Sequence, residues 1–312
     1  MKKRILSCLM ALTLCLTLLP TVALAADITR PSTGETVTIG EVTGNGSITT
    51  ASVSVSKLDF RSNAPNSETE YTITGGGTAK WEPSNGSTPN KLTLNGVTMT
   101  DDYYVVGVPA NTEIVLIGTN KITATNDTAI WAQGGPLKIY GAGSLEVTAP
   151  SGNALWSNTS SIDVNITGAL TVNGNIRAEG GILSLQSNDA IFVTGSMFGK
   201  QKITANAGKS LSITNTSGTA VFASSCTEVS LAAQDGDLTV SGTGPNFACG
   251  IDGSWQNTAL NLHASGNVSV TGTQYSMQGK TLELSGTIPE NSTLTANSTK
   301  SLTVPAGKTL IN

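Results

Sequence analysis

After residue 70 the chain alternates apolar and polar positions with a period of two, in short runs cut by Gly, Asn and Ser. Such alternation predicts strands that bury one face, and no stretch beyond the N-terminal leader shows helical period. Pairs of aliphatic residues one apart return at Leu92/Leu94, Ile114/Leu116, Leu137/Ile139, Ile162/Val164, Leu183/Leu185, Ile203/Ala205, Val229/Leu231, Leu260/Leu262 and Leu282/Leu284. Eight steps from Leu92 to Leu282 cover 190 residues, so the mean is just under 24 residues per repeat, with single steps of 20 to 31. A second run follows each opening, at Ile122, Leu145/Val147, Leu170/Val172, Leu211/Ile213, Leu238/Val240 and Val268/Val270. A third figure joins a small residue, an aliphatic and an aromatic: Thr128-Ala-Ile-Trp131, Asn153-Ala-Leu-Trp156, Asp189-Ala-Ile-Phe192 and Thr219-Ala-Val-Phe222. Three short strands per repeat cannot bury their apolar faces alone and must stack on the repeat below, which predicts an all-β solenoid, a parallel β-helix. A sandwich or barrel made of the same strands would not need an echo of this length.

The ends depart from this pattern. Residues 1–25 read as a signal peptide: Lys2, Lys3 and Arg4, then the apolar run Ile5 to Leu19, then Ala23-Leu-Ala25. The apolar run is short for a membrane span. Residues 26–70 read as an N-terminal capping segment, with strands such as Ser52-Val-Ser-Val-Ser closing the first coil, and Trp81-Glu-Pro-Ser-Asn-Gly as a loop. The β-helix proper is expected over 71–312, with an open or truncated C-terminal end at Asn312. Loss of the leader removes three basic residues, leaving 14 against 21 acidic ones, which argues against a nucleic-acid binder. A leader of this kind places the mature chain outside the cell or on its surface.

A resemblance adds to this reading. Tyr71-Thr-Ile-Thr-Gly-Gly-Gly-Thr, Lys91-Leu-Thr-Leu-Asn-Gly-Val-Thr-Met, the Ala-Ile-Trp phrases and Gly143-Ser-Leu-Glu-Val-Thr resemble secreted clostridial-type carbohydrate-binding proteins of the pectate-lyase-like β-helix superfamily. The tail Pro289-Glu-Asn-Ser-Thr-Leu and Pro305-Ala-Gly-Lys-Thr-Leu resembles repeats of large bacterial surface proteins. The resemblance implies a single-stranded right-handed parallel β-helix that binds polysaccharide, including acidic plant or cell-wall glycans, with calcium as a possible ion and further repeats or domains as possible neighbours. It transfers no catalytic residue.

The residues themselves favour binding over catalysis. If Ile130, Leu155, Ile191 and Val221 point inward, alternation turns Trp131, Trp156, Phe192 and Phe222 outward on one face, and Asn175-Ile-Arg177 fits between them as a weaker copy. A strip of flat aromatic faces with one cation suits a sugar chain, with Arg177 reaching a carboxylate or hydroxyls. The other face-value reading is that these rings shield the sheet or form core. His263, the sole histidine, has no placed partner for a triad. Asp235-Gly-Asp237 is the best calcium candidate, although two carboxylates in a Gly turn are ordinary turn chemistry. Cys226 and Cys249 stand 23 apart, close to one repeat; a disulfide between neighbouring coils and two buried thiols are both open. Three functions follow: a non-catalytic extracellular polysaccharide-binding or adhesin module, a polysaccharide lyase or hydrolase on the same helix, or a stalk of a surface protein.

Overall fold

The computed structural model describes residues 54–245, 248–254 and 258–289, and the backbone of 296–303. The expected signal peptide at 1–25, the first part of the capping segment and the tail repeat from Pro305 lie outside the described residues. What is described is all-β without a helix, a parallel β-solenoid of about 8 turns with about 25 residues per turn. Among these residues no helix is long and apolar enough to cross a membrane.

Three walls run along the axis. The first stacks Asn90–Asn95, Thr112–Ile117, Leu137–Gly141, Ile162–Ile166, Leu183–Ser187, Lys202–Ala207, Glu228–Ala233 and the start of Ala259–Gly272. The second stacks Thr98–Asp101, Thr119–Ala124, the start of Ser144–Ser157, the start of Leu170–Ala178, Ile191–Thr194, Leu211–Asn215, Leu238–Gly242 and the end of Ala259–Gly272. The third stacks Leu58–Asp59, Val106–Pro109, Ile130–Gln133, the ends of the two long strands, Met197–Gly199, Val221–Ala223, Cys249–Asp252 and the start of Tyr275–Thr287.

Stacking brings like residues together about every 4.8 Å. On the second wall Ile122, Val147, Val172, Val193, Ile213, Val240 and Val270 form one buried file. Each fully buried aliphatic of this kind is worth about 1.5–3 kcal/mol relative to exposure, and a single coil has nothing else to bury it against. The aliphatic openings read from the sequence share the first wall, with one shift: Ile114 lies against Ile139, where simple succession would place Leu137. An offset of two residues keeps every side chain on its face, so alternation cannot reveal it.

The N-terminal end is closed by an antiparallel meander, Thr69–Ile73, Thr78–Glu82 and Asn90–Asn95. Trp81, expected in a loop, is fully buried in its middle strand. Its ring lies 4.7 Å from that of Phe60, which lies 5.7 Å from Tyr71, and its indole N–H donates to the Pro65 carbonyl at 2.9 Å. Where the following coils carry Leu145, Leu170 and Ile191 on the second wall, the strand Thr119–Ala124 holds buried Asn120. Its Nδ2 donates to the carbonyls of Ile117, Gly118 and Ser144, and its Oδ1 accepts the Val97 N–H, so one side chain ties three turns.

Candidate functional site

The outward file of the third wall reads Asp59, Gly107, Trp131, Trp156, Arg177, Phe198, Phe222, Asp252 and Gln278, each opposite the next. Four of the five residues expected on one face therefore meet there: Trp131, Trp156, Arg177 and Phe222. Phe192 does not. It stands on the second wall between Thr171 and Ser212 and is 44% exposed, and its place in the file is taken by Phe198 six residues later. The reason is the corner between these walls, which here is only Gly195-Ser196, so Met197-Phe198 forms the third-wall strand.

The upper half of the file is a stack. Trp131 and Trp156 lie face to face, centroids 4.9 Å apart and planes 21° apart. The Arg61 guanidinium sits 4.1 Å from the Trp131 ring and 4.1 Å from the Tyr104 ring. It is held there by Asp59, which accepts from Nε at 2.7 Å and from Nη2 at 2.6 Å. Gly107 leaves the space: a Cβ there would lie 2.5 Å from Asp59 Oδ1 and 2.8 Å from Arg61 Nε. Tyr104 holds a left-handed backbone with φ of 49°, which costs a non-glycine residue some strain. Burial, then its hydrogen bond to Asp127, pushes its hydroxyl pKa up. Both indole N–H groups, of Trp131 and Trp156, are buried without an acceptor. The two tryptophans thus stack on each other, and Arg61 lies against Trp131.

The lower half opens into a shallow cleft of about 280 Å³ lined by Asn175, Arg177, Ser196, Phe198, Asn215, Thr219 and Phe222. Tight corners set two of its rungs. Gly174, with φ of 140°, approaches so closely that a Cβ would lie 2.5 Å from the Ala149 carbonyl oxygen. Asn175 then accepts the Ser196 N–H at 3.0 Å, locking one corner onto the next. The third corner is longer, and Asn215 folds over it, donating to the Thr219 carbonyl at 2.9 Å and accepting from the Ser217 N–H at 3.0 Å. Arg177 lies 4.9 Å over Phe198, and the Phe198 and Phe222 centroids are 5.8 Å apart. Glu179 Oε1 accepts from Arg177 Nε at 2.8 Å and pairs with Nη2 at 2.6 Å, and Nη1 has no partner among the described residues.

The remaining candidates are structural in their surroundings. Asp237 Oδ1 accepts the Asn267 N–H of the next turn at 2.7 Å, while Asp235 is exposed. Among the described residues no three His, Cys, Asp or Glu side chains converge. Cys226 and Cys249 are free and buried, not bridged. The fold explains why: Cys249 opens its third-wall strand level with Thr219, whereas Cys226 follows the equivalent strand. Burial pushes the Cys226 thiol up to about 11 and the Cys249 thiol up as well. His263 is exposed on the first wall between Ala232 and Ser285.

Sequence reasoning missed Arg61, and it leaves open whether Asp189-Ala-Ile-Phe192 or Ser196-Met-Phe198 is the third strand of its coil. The signal for Phe198 was Ser196-Met-Phe198 itself; for Arg61 there was only Asp59 two residues earlier on a strand, where such a pair shares a face. The fold and file together define a parallel β-solenoid whose third wall carries an outward file of aromatic side chains and paired arginines. Comparison with protein-family models, curated proteins and solved structures finds no match.

Proposed function

We propose that this protein is an extracellular, non-catalytic polysaccharide-binding or adhesin module. The observation that supports this is the cleft on the third wall, where a guanidinium with a spare donor, two phenyl rings and the side chains of Asn175, Ser196, Asn215 and Thr219 converge in an open groove. Sugars are held by this mixture, in which ring C–H groups lie on aromatic carbon and hydroxyls find directional donors and acceptors. The groove spans three rungs, about 10 Å along the axis, and so follows the direction in which a polymer would lie. Its residues come from three turns of a rigid sheet, which fixes their spacing before any ligand arrives. The export signal supports an extracellular setting.

The test is electrophoretic retardation through gels holding different soluble polysaccharides. The native chain is expected to be slowed by at least one polymer, and Arg177→Ala or Phe222→Ala to weaken that affinity about tenfold or more, with the β spectrum unchanged. Equal retardation of both variants would remove the cleft from the account.

A further inference from the structure

We infer that the cleft takes a neutral, hydroxyl-rich sugar unit in preference to a uronate. This rests on the reading of the cleft as a polysaccharide site. Arg177 is the one cation among the residues lining the cleft, and its charge is opposed at once: Nε and Nη2 both reach Glu179 Oε1, at 2.8 and 2.6 Å. A guanidinium paired in this way still directs the two hydrogens of Nη1 at a ligand oxygen, but it supplies little net positive potential. The next residue down the file from Phe222 is Asp252, a second carboxylate. At the other end of the file Arg61 is likewise taken by Asp59. Taken together, the charged groups of this face, Asp59, Arg61, Arg177, Glu179 and Asp252, carry one more negative than positive charge, and the whole chain carries −4.

A uronate entering this face would lose hydration and meet no uncompensated cation. A neutral ring meets no such penalty. Its vicinal hydroxyls can accept from Arg177 Nη1 and from the Nδ2 group of Asn175, which has no partner among the described residues, while the rings of Phe198 and Phe222 lie against its carbon atoms. Glu179 is therefore a specificity determinant, a residue that sets the charge of the site through Arg177.

The experiment titrates the native protein with a soluble neutral 1,4-linked glucan or mannan and with a polyuronate of similar length, at about 0.02 and about 0.5 M NaCl. The neutral polymer is expected to bind more tightly, with affinity changing less than about twofold between the two salt concentrations, as screening has little to act on. Glu179→Gln, which keeps the shape and removes the charge, is expected to raise polyuronate affinity at low salt at least about threefold and to lower preference for the neutral polymer. Polyuronate binding equal to or tighter than neutral binding in the native protein would overturn the inference while leaving the cleft a polysaccharide site. Glu179→Gln without effect on polyuronate binding would overturn it too. No retention on either class of polymer would sink the polysaccharide reading itself, and the inference with it.

Discussion

At the scale of single residues, the clasp at the top of the aromatic file shows how side chains distant in sequence are made interdependent. Arg61 reaches across Gly107 to cover Trp131, and it can do so because Asp59 holds two of its nitrogens. Burial alone would raise the Asp59 carboxyl, but hydrogen bonds and charge from Arg61, with help from Lys57, hold it below its ordinary 3.8. A carboxyl held low in the folded state stabilises it above the unfolded pKa, and that contribution is lost as pH falls through the folded value. Asp59→Asn is therefore expected to cost about 1–2 kcal/mol at neutral pH, measured by urea unfolding. The gap to the native protein should close as the pH drops below about 4, and a gap that stays constant with pH would contradict the assignment. The thiols give a second residue-scale expectation. Alkylation at pH 8 should leave Cys226 and Cys249 unlabelled in the folded chain and label both after denaturation without reductant. Labelling that required a reductant would mean that they are bridged.

At the scale of strands, the ladder explains what the sequence could and could not tell. Period-two alternation located the apolar openings of nearly every turn, because the face a residue takes is set by its parity. Parity does not say which wall a strand belongs to. Asp189-Ala-Ile-Phe192 carries the same small–aliphatic–aromatic order as the third-wall phrases, yet the walls share one inward and outward rule, and only pairing with Leu170–Asn173 reveals it as a second-wall strand. The short Gly195-Ser196 corner was the clue, since it matches Gly174-Asn175 one turn earlier. Polar exceptions were equally hidden. Asn120 occupies an aliphatic rung, and a sequence rule of matched ladders would favour Leu there. The structure predicts the opposite: Asn120→Leu leaves the Val97 N–H without its acceptor and removes the amide that donates to the Ile117, Gly118 and Ser144 carbonyls, so unfolding stability should fall by about 2–3 kcal/mol. An unchanged or raised midpoint would show that the buried amide does not hold those turns together.

Across the whole solenoid, repetition makes a fold legible and a site hard to see. Repeat length and alternation are properties of many residues, so errors at a few positions do not disturb them. The cleft depends instead on which residue of each turn reaches one file, and every loop of variable length between strands can shift that choice. Trp81 was obscured for a related reason, because its Pro, Asn and Gly neighbours signal a loop while the meander they close buries its ring against Phe60. The account therefore stands or falls on one comparison between two phenylalanines of the same turn. Phe198→Ala and Phe192→Ala remove the same atoms, from the cleft and from an exposed position on the neighbouring wall respectively. Calorimetric titration with the polysaccharide that the native protein binds most tightly should give a Kd raised about tenfold for Phe198→Ala and within about twofold of native for Phe192→Ala. The reverse ranking, or equal losses in both, would contradict it.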